Sequence, residues 1–86
     1  MHPRLISDLV VSPNGFGFRA DTGDVYRLNP TARQILEWLQ EGEDEIWIAQ
    51  TLAETHQLPL PAIRRDLSAF FENLRNLHLV QPDDNL

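Results

Sequence analysis

The first third of the chain has the residue pattern of short β-strands. Residues 16–20 and 24–28 are two runs rich in aromatic and β-branched residues, the types that strands favour. Residues 21–23, Asp-Thr-Gly, fit a three-residue hairpin loop with glycine where a positive φ is usually needed. An earlier strand is predicted at residues 9–11, before the turn formers of residues 12–15. The pattern therefore predicts a small antiparallel sheet.

The two-residue period of a strand predicts which side chains share a face. Phe16 and Phe18 fall on one face of the second strand, and Tyr26 and Leu28 share a face of the third. We expect one side of the sheet to be apolar and aromatic, and to be covered by helices. We also expect the third strand to be an open edge on which another peptide chain can pair.

The third strand leads almost directly into a helix. Asn29 can cap the free N–H groups of a helix start, and Pro30 has no N–H to leave unpaired and already has a helical φ. The helix is predicted over residues 30–40, and Gly42 supplies a stop just after it. Its apolar residues recur at helical spacing, at Ala32, Ile35, Leu36 and Leu39.

Two further helices are predicted in the second half of the chain. One begins near Asp44, a suitable N-cap, and runs to about residue 56, with an inward face of Ile48, Ala49, Leu52 and Ala53. The other runs from about residue 61 to 77, with a main stripe of Ile63, Leu67, Phe70, Leu74 and Leu77. The fold class is thus α+β, in the order β-β-β-α-α-α.

Length and composition predict one domain over residues 1–86, ordered over about 5–80, with an acidic C-terminal tail at 81–86. Eighty-six residues can build a single core. There is no cysteine, which excludes disulfides and thiolate metal sites. No stretch has the pattern of a signal peptide or a membrane span, so we expect a cytoplasmic protein.

The charges argue against nucleic acid as a partner. The net charge is −6, and the seven basic residues are all arginines, scattered along the chain except for Arg64 and Arg65. A nucleic-acid-binding protein needs a basic stripe to displace counterions from the phosphates. We therefore expect no nucleic-acid partner and, for the same reason, no binding to anionic membranes.

No catalytic or metal-binding constellation is visible in the sequence. His2, His56 and His78 lie far apart, and none has a second ligand at helical spacing. The acidic residues between 41 and 45 lack the spacing of a calcium loop and instead suit the positive end of the second helix. We expect no enzymatic activity, no metal and no cofactor.

The motifs of the hairpin and the first helix resemble the PqqD family. They are Phe16-Gly17-Phe18, Asp21-Thr22-Gly23-Asp24, Tyr26-Arg27-Leu28-Asn29 and the Thr-x-x-x-Ile-Leu pattern of residues 31–39. The resemblance continues through Gly42, Ile48-Ala49, Asp66-Leu67, Phe70-Phe71 and Leu74 to about Val80. Where the family has glycine in a Leu-Gly-Leu ending, this chain has His78.

The resemblance implies a winged helix-turn-helix-like fold and the function of a peptide chaperone, or RiPP recognition element. Such proteins bind the leader of a ribosomally made precursor peptide as a strand beside the third strand, in a groove closed by the third helix. They present the peptide to a modifying enzyme, often a radical SAM enzyme of the pyrroloquinoline quinone pathway. A subset found beside relatives of HPr kinase is also similar, so an HPr-kinase-like partner stays open.

Two sets of residues are candidates for binding the peptide. The third strand would supply main-chain hydrogen bonds, which are indifferent to sequence, and the third helix would supply an apolar wall flanked by arginines that favour an acidic peptide. The residues are Asp24, Val25, Tyr26, Arg27, Leu28, Arg64, Leu67, Ser68, Phe71 and Arg75.

Structural roles are an alternative for several of these residues. Phe71 can instead widen the buried stripe of the third helix, and Tyr26 can belong to the core. Val25 and Arg27 can simply face solvent. Trp38 is expected to pack within the domain, while Trp47 either packs or marks a docking patch.

Two other functions remain open at this point. The architecture alone would also suit a winged-helix DNA-binding protein, against which the net charge argues. A structural adaptor subunit of a larger enzyme is the third possibility. The expected oligomeric state is a monomer or a weak homodimer, since an open edge can also pair with itself.

Overall fold

The computed structural model describes residues 4–81 and has the element order predicted from the sequence. Three short antiparallel strands, in the order β1-β2-β3, are followed by three helices, which confirms the α+β class. The bounds are β1 Leu9–Ser12, β2 Phe16–Arg19, β3 Val25–Arg27, α1 Pro30–Gln40, α2 Glu45–His56 and α3 Leu60–Asn76. The two hairpin strands are slightly shorter than predicted.

The first two helices begin directly after the capping residues predicted from the sequence. The side chain of Asn29 accepts a hydrogen bond from the N–H of Ala32 at 2.7 Å. The side chain of Asp44 accepts one from the N–H of Trp47 at 2.7 Å. Each contact satisfies a donor that has no partner within its own helix, which fixes the first turn.

The three helices end in the same way, each with a residue of left-handed conformation just beyond its last turn. These residues are Gly42 at φ 96°, Gln57 at φ 53° and His78 at φ 59°. After α3, the N–H of Leu79 reaches back to the carbonyl of Leu74 at 2.9 Å, as in a Schellman motif. The positive φ of His78 gives a physical reason for the glycine that the resemblance implies at this position, because glycine adopts positive φ without strain.

The face of β2 that meets the helices is the opposite of the one expected, whereas Tyr26 of β3 and Leu28 do face the core. The register pairs Phe16 with Arg27, Gly17 with Tyr26 and Phe18 with Val25. Directly paired residues share a face of the sheet, so Phe16 and Phe18 lie on the same face as Arg27 and Val25. This is the outer face, because the two phenylalanines are 39% and 42% exposed. The expectation that helices cover these two rings was wrong.

The inner face is built around a glycine that leaves room for larger neighbours. Gly17 is buried, and a Cβ added there would lie 3.6 Å from the side chains of Leu9 and Leu28 and 3.9 Å from the Cβ of Tyr26. The inner face is therefore formed by aliphatic side chains and one tyrosine packed over a glycine, and the phenylalanines of the same strand turn outward.

The core lies between this inner face and the helices. Phe71, Leu36 and Ile48 are its most deeply buried large side chains. The predicted stripes of the first two helices are confirmed. On α3 the buried positions are Ile63, Leu67, Phe71 and Leu74. Leu77, predicted to belong to the stripe, is 46% exposed, and Phe70 is half-buried.

The two ends of the described chain meet beside the sheet. Leu5 and Val80 form an antiparallel bridge, and the N–H of Gln81 donates to the carbonyl of Arg4 at 2.7 Å. Gln81, placed in the tail by the sequence analysis, thus pairs with the main chain. The rest of the predicted acidic tail, residues 82–86, lies outside the described residues.

Candidate functional site

The outward edge of β3 carries main-chain groups that point away from the sheet. The N–H of Arg19 donates to the carbonyl of Asp24 at 2.9 Å, and the N–H of Leu28 donates to the carbonyl of Gly15 at 2.8 Å. Bonded and non-bonded pairs alternate along an antiparallel ladder, so Tyr26 is the next bonded residue between them. Val25 and Arg27 therefore direct both N–H and C=O outward.

These four groups of β3 are open within the described part of the chain. In residues 4–81 no strand lies beyond β3, and no main-chain hydrogen bond from outside the sheet reaches Val25 or Arg27. The opposite edge of the sheet differs, because Gln40 of α1 donates from its side chain to the carbonyl of Leu9 at 3.0 Å. The β3 edge is thus the place where an extended chain can add.

A hollow of about 360 Å³ lies beside the end of β3. Asn29, two residues after the strand, lines it together with Ile35 of α1 and with Leu67 and Phe70 of α3. Most of this lining is apolar, while His56 and Asp66 contribute polar groups. The hollow and the β3 edge together form a candidate groove for an extended peptide with an apolar side chain.

The structure separates the residues predicted on α3 into two groups. Successive residues are rotated by about 100° around a helix, so Asp66 and Phe70 lie on one side of Leu67, and Arg64, Ser68 and Arg75 lie on the other. Arg64 lines a different hollow, formed with Glu45 and Ile46 of α2. Of the predicted α3 residues, Leu67 lies in the groove, and the arginine-flanked wall does not face it.

Phe71 takes the structural role that the sequence left open. It is only 2% exposed and belongs to the core, with its ring 6.0 Å from that of Phe70. Leu67 is also buried, but it contributes to the floor of the hollow. The accessible aromatic ring beside the groove is that of Phe70.

Sequence reasoning missed Phe70 and Asp66 as candidate site residues. Phe70 and Phe71 lie about 60° and 40° from Leu67, on opposite sides of the stripe, and periodicity alone does not decide which faces the core. The spacing between Asp66 and Phe70, one helical turn, was a usable signal for a shared side of α3.

The remaining predicted residues lie on or next to β3. Val25 is 62% exposed and Arg27 is exposed, both on the outer face. Tyr26 and Leu28 are half-buried and pack against the core. Asp24 is exposed and accepts a hydrogen bond from the hydroxyl of Thr22 at 2.9 Å.

One ion pair lies at the hairpin end of the sheet. Arg19 donates to both carboxylate oxygens of Asp21, at 2.8 and 3.0 Å. This hydrogen bonding lowers the pKa of Asp21 below its ordinary value and raises the pKa of Arg19. On α1, Arg33 pairs with Glu37 at 3.0 Å. Within residues 4–81, Arg27 forms no ion pair.

The two tryptophans pack against each other across α1 and α2. The ring centroids of Trp38 and Trp47 are 5.3 Å apart in an edge-to-face arrangement. Trp38 is half-buried against the core, as expected, and Trp47 is 40% exposed. The pair therefore joins the two helices, with one ring partly open to solvent.

The described residues contain neither a metal-binding cluster nor a membrane-spanning helix. No cluster of three or more histidine, cysteine or acidic side chains suited to a metal ion is found between residues 4 and 81. In the same residues, no helix combines the length and apolarity that crossing a membrane requires.

Comparison with known proteins places the chain in a family. The family model described as coenzyme PQQ synthesis protein D (PqqD) matches residues 11–80. The chain belongs to the PqqD family. The match spans all three strands and all three helices apart from the first two residues of β1. Comparison with curated protein sequences gives no match.

A solved structure has the same fold as this PqqD-family chain. It is described as TbiB1 in complex with the TbiA(beta) leader peptide. The two chains are 20% identical, and the TM-score is 0.85. The superposition covers 95% of this chain and 99% of TbiB1, so the similarity extends over the entire fold.

Proposed function

We propose that this PqqD-family chain captures the leader of a ribosomally made precursor peptide by β-strand addition at β3. The observation that carries this proposal is the open β3 edge, with four outward main-chain groups at Val25 and Arg27, beside an apolar hollow. Family membership supports it, as does the similar fold of TbiB1, which was solved with a leader peptide.

Main-chain pairing alone does not hold such a peptide. Four new hydrogen bonds at about 1 kcal/mol each contribute about 4 kcal/mol. Association costs at least about 4 kcal/mol in lost translational and rotational freedom. The peptide must therefore also bury apolar surface, and the hollow beside Phe70 and Leu67 offers the place.

The size of the hollow fits one large side chain of the peptide. Burying a leucine or phenylalanine side chain adds roughly 1.5–3 kcal/mol. Each further apolar contact along the groove adds in proportion to its area, so three side chains buried near the upper end of this range supply the roughly 8 kcal/mol of a micromolar complex. The groove thus selects an extended segment with apolar residues on the side that faces α3.

The same proposal assigns the chain a presenting role rather than a catalytic one. The bound leader positions the rest of the precursor for a modifying enzyme, either a radical SAM enzyme or an HPr-kinase-like enzyme, in the cytoplasm. The chain itself supplies binding surface and no reacting group.

The test is an NMR titration of the isotope-labelled chain with the leader of the precursor peptide encoded beside its gene. We expect the largest amide shifts at Val25, Arg27 and Phe70, and saturation in the micromolar range. The matched control is the same leader with its sequence scrambled, which should bind more weakly. Shifts confined to α2 and to the side of α3 that carries Arg64, Ser68 and Arg75 would contradict the proposal. A salt-dependent shift with duplex DNA in place of the leader would favour the DNA-binding alternative.

A further inference from the structure

The β3 edge divides the side chains of an added peptide strand, here called the guest, into two sets. Residues of the guest that lie across from Tyr26 point to the inner face of the sheet, the side that packs on the core. Residues across from Val25 and Arg27 point to the outer face, because neighbours across a sheet share a face. The outward set meets a different surface from the inward set.

That outer surface has an apolar row and a charged end. Val10, Phe18 and Val25 lie side by side across the three strands. The next row is Ser12, Phe16 and Arg27. A guest strand therefore extends the first row beside Val25, and the second row beside Arg27.

Arg27 is the arginine placed to act on the guest. Arg19 and Arg33 are already paired with carboxylates. Arg64 lines the hollow against α2, and Arg65 and Arg75 are exposed on the sides of α3 that face away from Phe70. Arg4 lies at the opposite edge of the sheet, in a hollow with Leu9 of β1. Arg27 on β3, rather than an arginine of α3, is therefore placed to favour an acidic peptide.

We propose that Val25 and Arg27 select the leader through its outward side chains, so that the preferred guest has an acidic residue across from Arg27 and an apolar residue across from Val25. This inference rests on the proposed function and names the chemistry of its peptide. The two selected residues are two positions apart in the guest, with the inward-pointing residue between them.

The acidic groups near the groove sharpen this register. Asp24 has the same two-residue alternation as Tyr26, on the inner side of β3, and Asp66 lines the hollow. A one-residue slip of the guest turns its carboxylate from the outer face to the inner one, where these acidic groups give repulsion in place of attraction. One acidic residue can thus fix the alignment of a peptide that main-chain pairing alone leaves free to slip.

The experiment selects short random peptides from a display library on the intact chain and on two variants. The wild type should enrich peptides with an acidic residue two positions from a large apolar one. Arg27→Glu should enrich lysine or arginine at the acidic position. The matched control, Arg65→Glu, makes the same charge change on an exposed site outside the groove and should keep the wild-type pattern. Circular dichroism checks that each variant is folded.

A selected peptide then gives the size of the effect. Changing its acidic residue to the matching amide should weaken binding to the wild type about two- to fivefold, the range of a cross-strand ion pair, and leave binding to Arg27→Gln unchanged. The difference in Kd between the acidic peptide and its amide variant should shrink in about 1 M salt, where the screening length is roughly 3 Å.

The outcomes separate this inference from the proposed function. Peptides that bind at β3 without the acidic preference, or an acidic preference that persists in Arg27→Glu, overturn the selection by Arg27 and leave strand addition standing. Selected peptides that shift no amide of β3 overturn both.

Discussion

Replacing Val25 by proline tests the open edge directly. The N–H of Val25 points away from β2, so its loss removes a donor for the guest and leaves the ladder to β2 intact. The side chain is 62% exposed, and we expect only a small change in the melting temperature. Tyr26 continues to hold β3 to β2.

The expected loss of binding follows from one missing hydrogen bond. About 1 kcal/mol corresponds to roughly a fivefold weaker Kd, and the proline ring further obstructs a strand approaching that edge. Isothermal titration with the leader peptide should therefore show at least about a fivefold loss for Val25→Pro. The matched control is Val25→Ile, which keeps the N–H and an apolar β-branched side chain, and should bind within about twofold of the wild type.

A Val25→Pro variant that is folded and binds the leader as tightly as Val25→Ile does would contradict the prediction. That result would mean that the peptide makes no main-chain bond at this position. Equal weakening in both variants would instead assign the effect to the side chain. A parallel measurement of thermal unfolding separates either result from a loss of fold.

Three further predictions concern stability and charge. His78→Gly should raise the free energy of unfolding by about 0.5–1 kcal/mol in urea denaturation, since glycine removes the strain of the left-handed residue after α3, while His78→Ala should give no gain. Leu36→Ala should cost about 2–5 kcal/mol in the same assay because the side chain is 1% exposed, and a loss below 1 kcal/mol would contradict its place in the core. An NMR pH titration should give Asp21 a carboxyl pKa below its ordinary value, and Arg19→Gln should raise it; the stabilisation from this pair is present above the ordinary pKa and is lost as pH falls through the lowered one.

The helices were predictable because local chemistry sets their ends. Asn29, Pro30 and Asp44 act within one turn of their own positions, and the structure has these caps as predicted. Apolar spacing likewise gave the buried faces of α1 and α2. These signals come from residues that are close together in sequence, so they can be read from the amino-acid sequence alone.

The orientation of the sheet was not predictable in the same way. Alternation correctly grouped Phe16 with Phe18, but it does not state which group meets the helices. The large rings favoured an inward assignment. In the structure the inward position is Gly17, because Leu9 and Leu28 fill the space above it. The outcome depends on residues distant in sequence.

The candidate groove shows the same division between local and distant information. The open edge at β3 was predicted from the hairpin and the helix start that follows it. The wall predicted on α3 lies on the other side of the helix from the apolar hollow, since a helix with two adjacent phenylalanines can be turned either way about its axis. Packing decides between them: Phe71 enters the core, and Phe70 lines the hollow.

The shortness of β3 has a consequence for the lifetime of a complex. Three residues, Val25–Arg27, provide only two outward-facing positions, so a guest is released by breaking few bonds at once. A micromolar complex that forms at about 10⁵–10⁷ M⁻¹s⁻¹ dissociates in roughly 0.1–10 seconds. A longer edge would retain its cargo for longer and slow each round of delivery. Under the proposed function, the brief strand suits a carrier that hands over one precursor and is soon vacant for the next.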